Sequence, residues 1–210
     1  MKIINLGHAS FKIENKKHSI IFDPYAPNSV PGLVFPKGIK ADYVFSSHGH
    51  SDHNATELVV KVKPTEDINY KIKIVPHDNK GGALRGMCHA VIIELDGYRI
   101  AHLGDIGDPN CLDNDKDFQN LDIVLCPING FYTIGAKEAI KLKEKLHARI
   151  MIPMHYEIKE NRSGYPDGGQ IDIFRDLLRN YYEVKDEIEI DDSLFKYGAI
   201  IFQDYKKGAK

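Results

Sequence analysis

The sequence predicts an α+β protein of layered β-sheets with helices on the outside. Two observations carry this prediction. The first half is a series of short, β-prone, turn-bounded runs, whereas the second half alternates apolar strands with segments of helical spacing. Several second-half strands are apolar throughout, and such strands need cover on both faces. The chain has 210 residues, 42% hydrophobic and 28% charged, which suits one domain spanning residues 1–210.

Taken in order, Lys2–Leu6, Ser10–Glu14 and Ser19–Phe22 read as strands, the third stopped by Asp23-Pro24. Residues 30–40 read as a loop, and Ala41–Ser46 as the next strand. Asn54, with Glu57 behind it, predicts an N-capped short helix over Ala55–Val60. Tyr70–Val75 alternates lysine and isoleucine, the pattern of a half-exposed strand. Ala90–Leu95 and Tyr98–Leu103 flank Asp96-Gly97, a hairpin signal because a type I′ turn needs two positive φ angles. Leu121–Ile128 and Arg149–Met154 read as buried strands, and Ala136–Leu146 and Ile171–Tyr182 as amphipathic helices. Glu187–Ile190 and Gly198–Phe202 close the chain as strands.

The formal net charge of −2 gives no reason to expect nucleic acid or an anionic membrane as partner. The opening MKIINLGHASFKIE lacks the apolar core of an export signal, and no stretch approaches the ~18 apolar residues of a membrane span. Three cysteines, Cys88, Cys111 and Cys126, at unremarkable spacing argue against a disulfide framework and for a cytoplasmic location. Oligomeric state is left open.

Ten histidines are the unusual feature. SSHGHSDHN places His48, His50, Asp52 and His53 directly after the ADYVFS strand, four metal-ligating side chains within six residues. Alternate residues of an extended loop project the same way, so His48 and His50 can share one ion. Asp52 and His53, past a tight turn, can face a second. Imidazole and carboxylate donors suit zinc, iron or manganese.

H-x-H-x-D-H after a buried strand resembles the signature of the metallo-β-lactamase superfamily. GHASF at Gly7–Phe11, FDP at Phe22–Pro24, DGYRIAHLGDIGD at Asp96–Asp108, LCPINGFYTIGAKEA at Leu125–Ala139 and IMIPMHY at Ile150–Tyr156 are similar, in order and spacing, to segments of the branch containing ascorbate-6-phosphate lactonases and many uncharacterised Zn-dependent hydrolases. The resemblance runs from Met1 to about Tyr156 and implies a four-layer αββα sandwich with its site at one edge between the sheets. It implies that His48 and His50 serve a first metal site, Asp52, His53 and His155 a second, and that Asp105 bridges two divalent ions, zinc foremost with manganese or iron as alternatives. His77 is the expected third histidine of the first site, with His89 as the alternative. His102 reads as a structural residue or as a neighbour that orients a ligand. The resemblance alone places His8 near the site, as a neighbour of the ligands or of substrate and not as a ligand, and Asp23, otherwise a turn residue, as a partner for a ligand histidine.

The implied chemistry is hydrolysis by a metal-bound hydroxide, with Asp52 and Asp105 passing the proton. The substrate class is a small ester or lactone, phosphorylated ones included. The alternatives are a phosphodiesterase or nuclease, and a metal-binding protein without catalysis that keeps the fold. A compact chain without basic bias disfavours the nuclease. Lys80 and Arg85, in the glycine-rich DNKGGALRGM segment, are candidates to seat an anion, against the plainer reading of an exposed loop. Tyr132 is a candidate hydrogen-bond donor to substrate, against the plainer reading of packing. Lys159 and Arg162 fall in a polar loop of no assigned geometry.

Overall fold

The computed structural model describes residues 1–159 and 163–207; Arg162 and the last three residues of the C-terminal segment lie outside the described residues. Strands β1 (Lys2–Gly7), β2 (Ser10–Glu14) and β3 (Ser19–Phe22) form an antiparallel meander, and β5 (Tyr43–Phe45) adds parallel to β3. Strands β4 (Lys40–Ala41) and β6 (Val60–Lys61) make a short parallel pair of their own. A second sheet gathers β7 (Asn69–Pro76), β8 (Met87–Leu95), β9 (Tyr98–His102), β10 (Ile123–Pro127), β11 (Ile150–Met154), β12 (Tyr181–Val184) and β14 (Ala199–Phe202), in the order β12-β14-β11-β10-β9-β8-β7. Strand β13 (Glu187–Glu189) returns to the first sheet, antiparallel to β1. The helices are α1 (Ala136–Lys145) and α2 (Ile171–Leu178).

Alternation along the strands explains the layering. Ile3, Phe11, Ile13, Ile20 and Phe22 of the first sheet meet Val91, Ile93, Ile123, Leu125, Ile150, Ile152 and Phe202 of the second in one buried cluster. The intervening residues of the second sheet, among them Ala90, Ile92, Val124, Cys126 and Met151, turn outward onto Ala139 and Leu142 of α1 and Phe174 of α2. Successive side chains of a strand point to opposite faces, so the apolar-throughout strands are those covered on both sides. The outer face of the first sheet, Ile4, Leu6 and Ile21, is covered by Tyr25, Val30, Leu33 and Phe35 of the long loop and by Tyr205. This outer layer is irregular loop and turns with one 3₁₀ turn, whereas both α-helices lie on the second sheet.

Two predicted helices end differently. The segment expected as helix Ala55–Val60 makes only one 3₁₀ turn, Thr56–Leu58, without a side-chain cap. Val60 donates its N–H to the Ile39 carbonyl and continues as β6, because pairing with β4 outweighs so short a helix. The helix expected over Ile171–Tyr182 stops at Leu178. Arg179 turns left-handed, with φ 58°, and Tyr181–Val184 pairs with β14. The Asp96-Gly97 turn has both φ angles positive, 52° and 83°, as the hairpin demands. Helix α1 starts where Gly135 N–H donates to Glu138 and Ala136 N–H donates to the Gln170 side chain.

In the first sheet β1, β3 and β5 run the same way, and in the second β7, β9, β10, β11, β12 and β14 do; the C-terminal ends of six of these, β1, β3, β5, β7, β9 and β11, meet at one edge of the sandwich. Such an edge is where open sheets with parallel strands gather their functional groups.

Candidate metal centre

Each of those six strand ends is followed within a few residues by a titratable side chain: His8, Asp23, His48, His77, Asp105 and His155. The hairpin after β1 puts His8 at a left-handed position, φ 60°, and His155 after β11 shares that conformation at φ 62°. The His155 N–H donates to the His8 carbonyl at 3.1 Å, which ties the two sheets together at this edge.

Ligand-type atoms fall into overlapping groups within 4.8 Å of one another: His48, His50 and His77; His8, Asp52, His53 and His155; and His48, His53 and Asp105. Asp105 stands between them. Its Oδ2 lies 3.2 Å from His53 Nε2, 3.3 Å from His77 Nε2, 3.5 Å from His155 Nε2 and 3.8 Å from His48 Nε2. Asp52 Oδ2 lies 3.4 Å from His8 Nε2 and 3.7 Å from His53 Nε2.

The fit to a cation can be tested on these atoms. Buried polar atoms are nearly always hydrogen-bonded. Among the described residues, the buried side-chain nitrogens and oxygens that lack such a bond are those of His8, His53 Nε2, both nitrogens of His77, Asp105 Oδ1 and His155 Nδ1. All belong to this cluster. A set of unpaired, buried imidazole and carboxylate donors is the coordination chemistry of a divalent metal.

One buried carboxylate organises the histidines. Asp23, left-handed at φ 45°, accepts the Ser47 N–H on Oδ1 at 2.6 Å. On Oδ2 it meets Ser47 Oγ at 2.7 Å and His53 Nδ1 at 2.8 Å. A carboxylate only accepts, so His53 Nδ1 carries a proton toward it and Ser47 Oγ donates to it. Ser47 Oγ, 2.9 Å from His48 Nδ1, is then left to accept from that ring. Asp23 thereby turns Nε2 of both His53 and His48 toward the cluster.

Charge follows the same geometry. Burial opposes ionisation of Asp105, but His53 and His155 hold its carboxyl well below the ordinary range. Burial likewise opposes ionisation of Asp52, and His8 and His53 outweigh it, so that carboxyl too is held down. Burial disfavours a charged His53, yet Asp105 and Asp23 raise it well above the ordinary histidine value. His8 is pushed down to about 4 by burial and by His155, and His48 to about 4 by burial and by His53.

The structure brings together His48, His50, Asp52, His53, His77, Asp105 and His155. His8, expected only as a neighbour of the ligands, lies in one group of ligand-type atoms with Asp52, His53 and His155. His89 lies on the exposed side of β8 and in none of the ligand-type groups, whereas His77 falls in one group with His48 and His50. His102 stands behind the site. Its ring stacks on Phe22 at 4.9 Å, its Nε2 lies 2.8 Å from the Ala9 carbonyl, and its Nδ1 accepts the Gly104 N–H. It clamps the turns that carry His8 and Asp105. A cavity of about 280 Å³ opens over the cluster, with Arg85, Tyr132 and Tyr165 in its wall. Motif spacing missed Ser47, Asp78 and Tyr165; only Asp78, heading a glycine-rich stretch, had a local signal, that of an Asx turn.

Residues 2–155 match the family model described as the Beta-lactamase superfamily domain. The chain is 30% identical over 194 residues to the UPF0173 metal-dependent hydrolase of Thermococcus onnurineus, covering 74% of this chain and 84% of that protein. It is 30% identical over 193 residues to the UPF0173 metal-dependent hydrolase of Pelotomaculum thermopropionicum, again covering 74% and 84%. Among solved structures, a Thermotoga maritima protein described as a Zn-dependent hydrolase of the metallo-β-lactamase superfamily superposes with a TM-score of 0.70 at 26% identity, covering 99% of both chains.

Proposed function

The chain belongs to the metallo-β-lactamase superfamily, and we propose that it is a hydrolase that holds two divalent ions, zinc foremost, and cleaves a small ester or lactone, phosphorylated ones included. The observation that carries this reading is the central place of Asp105 Oδ2, 3.2–3.5 Å from the Nε2 atoms of His53, His77 and His155. In this reading His48, His50 and His77 hold one ion, and Asp52, His53, His155 and His8 the other. Asp105 is shared. Divalent cations supply Lewis acidity, lowering the pKa of water toward neutrality and polarising the oxygen of the electrophile.

The chain's own residues do the rest. Asp23 and Ser47 fix the ring orientations, so the donors are preorganised. Asp52, ionised and lining the cavity, accepts a proton on the carboxylate oxygen that would not face the ion and returns it to the departing oxygen. Asp105 is buried, so its fixed charge acts within a low-dielectric site, where it counts for more than in water. Among the described residues no helix is long and apolar enough to cross a membrane. All three cysteines are unpaired, which supports a reducing, cytoplasmic setting.

The test is initial-rate hydrolysis by protein loaded separately with zinc and with manganese, on p-nitrophenyl acetate, a γ-lactone and bis(p-nitrophenyl) phosphate, with Asp105→Ala as control. Turnover of at least one substrate, lost in a variant that keeps its circular dichroism, is the expected result. Rates equal in wild type and variant would refute the role of Asp105; no turnover of any substrate would favour a metal-binding protein without catalysis.

A further inference from the structure

We infer that the cavity over the metal-ligand cluster is built for a substrate with a second, remote anionic group, a carboxylate or phosphate, which Arg85 binds while the body of the substrate lies against Tyr132 and Tyr165. The inference rests on the hydrolase reading for the word substrate; the binding site itself rests on the residues below.

Arg85 shares the cavity wall with Asp52, Asp105 and His155. Its guanidinium carbon sits 4.5 Å from the centre of the Tyr132 ring. Arg99, Arg149 and Arg175 all ion-pair with carboxylates, to Glu94, Asp122 and Glu183. Among the described residues Arg85 and Arg179 have no such partner; Arg179 bonds to the Asp176 carbonyl away from the cavity, whereas half-buried Arg85 lines it. A guanidinium stacked on an aromatic face keeps its in-plane N–H groups available, and these match carboxylate and phosphate oxygens two at a time.

The loop that carries Arg85 is held in shape. The Asp78 carboxylate accepts backbone N–H bonds from Lys80 at 2.8 Å, Gly82 at 3.1 Å, Leu84 at 2.9 Å and Arg85 itself at 2.8 Å. The same loop closes on the strand end through the His77 N–H, which donates to the Gly86 carbonyl at 3.1 Å. Tyr132 is fixed independently, its N–H donating to the buried Asn129 side chain at 2.9 Å. Tyr165 extends the aromatic wall, 6.2 Å from the Tyr132 ring and 5.4 Å from His155. Because Asp78 follows His77 directly, the cation of Arg85 and the cluster are set at a fixed separation. Asp78 is thus a positioning residue for Arg85, and the site measures substrate length as well as charge.

The experiment is calorimetric binding to zinc-loaded protein of succinate and butyrate, which share a four-carbon chain and differ in the remote carboxylate. Wild type is expected to bind succinate roughly ten- to hundredfold more tightly. Arg85→Ala should abolish that preference and leave butyrate unchanged, and Arg85→Lys should restore only part of it. Asp78→Ala, with its fold checked by circular dichroism, should also lose the preference although Arg85 is present. A third ligand, 3-phosphonopropanoate, tells the anions apart: tighter binding than succinate assigns phosphate, weaker binding assigns carboxylate. Equal affinities for succinate and butyrate in wild type, no binding of either, or an equal loss of both in Arg85→Ala overturns the inference. Binding is read without turnover, so an Arg85-dependent preference in a protein that hydrolyses nothing would sink the hydrolase reading alone. Hydrolysis without any preference would sink this inference alone.

Discussion

Asp23→Asn is the sharpest perturbation of the metal centre, because it changes one atom and no shape. The Ser47 N–H cannot reverse its role, so the asparagine carbonyl oxygen must take the place of Oδ1, 2.6 Å away. The amide nitrogen then replaces Oδ2 and points its hydrogens at His53 Nδ1 and Ser47 Oγ, at 2.8 and 2.7 Å. His53 must accept at Nδ1, which moves its proton to Nε2, the atom facing Asp105. Ser47 Oγ, now accepting from the amide, is free to donate to His48 Nδ1, so the second ring inverts as well. The number of hydrogen bonds is kept and charge assistance is lost, a cost of about 1–2 kcal/mol in stability. Loss of an outer partner typically lowers metal affinity by about 10–100-fold. Here one carboxylate governs a ligand in each group, so the expected loss lies at the upper end. Chelator-competition titration of zinc measures the affinity, and thermal unfolding confirms that the variant folds. Wild-type zinc affinity in Asp23→Asn would falsify the relay through Asp23, Ser47 and the two rings. Asp23→Ala is the blunter variant: it strands the Ser47 N–H and His53 Nδ1, at about 1–3 kcal/mol each, and should unfold at markedly lower temperature.

Two further outcomes follow from the same geometry. Metal-free His53 is held charged through neutral pH between Asp105 and Asp23, whereas His8 and His48, pushed down to about 4, are already neutral. A cation that takes His53 Nε2 must expel its proton, so affinity should rise with pH up to the raised His53 value, and zinc binding at pH 7 should release about one proton. Calorimetry in buffers of different ionisation enthalpy reads this directly, and a binding enthalpy independent of buffer contradicts it. Gly107→Ala should damage the site without touching a ligand. A Cβ there would collide with the Asp78 backbone and come within 2.5 Å of the His77 carbonyl carbon, and backbone cannot rotate away. Overpacking of this kind costs about 1–3 kcal/mol, and a displacement of His77 of about 1 Å can cost 100-fold in turnover. A variant with wild-type melting temperature and zinc affinity would show the loop to be more yielding than this packing implies.

How much of this was legible in the sequence depended on range. Strands Ser10–Glu14 and Ser19–Phe22 and the Asp96-Gly97 turn are fixed by neighbours in the chain, and they appear where periodicity and turn chemistry put them. The predicted helix at Ala55–Val60 and the overlong helix after Leu178 failed for one reason. Val60 pairs beside β4 and Tyr181–Val184 beside β14, and such partners override local propensity. A trace of the second break was present, since Asn180 and two tyrosines make a poor continuation of a helix.

The site shows the same division more sharply. His48, His50, Asp52 and His53 advertise themselves because they are adjacent, but the residue that orients two of them, Asp23, is 30 positions from His53 and reads locally as a turn before proline. Its real task shows only when β3 and β5 lie side by side and bring Ser47 under its carboxylate. The backbone records that task as strain. His8, Asp23 and His155 all adopt left-handed φ angles that β-strand ends do not require and that ordinary side chains avoid, at about 1–3 kcal/mol each. An extended residue continues the alternation of its strand and sends its side chain into one face of a sheet. Turning left-handed at the strand end breaks that alternation and aims the side chain along the edge, into the gap where both sheets end. The three strained residues follow β1 and β3 of the first sheet and β11 of the second, yet their side chains reach Asp52, His53 and Asp105, three members of one cluster. Strain accepted separately at three strand ends for one convergence indicates that the cluster is what these turns are shaped to build.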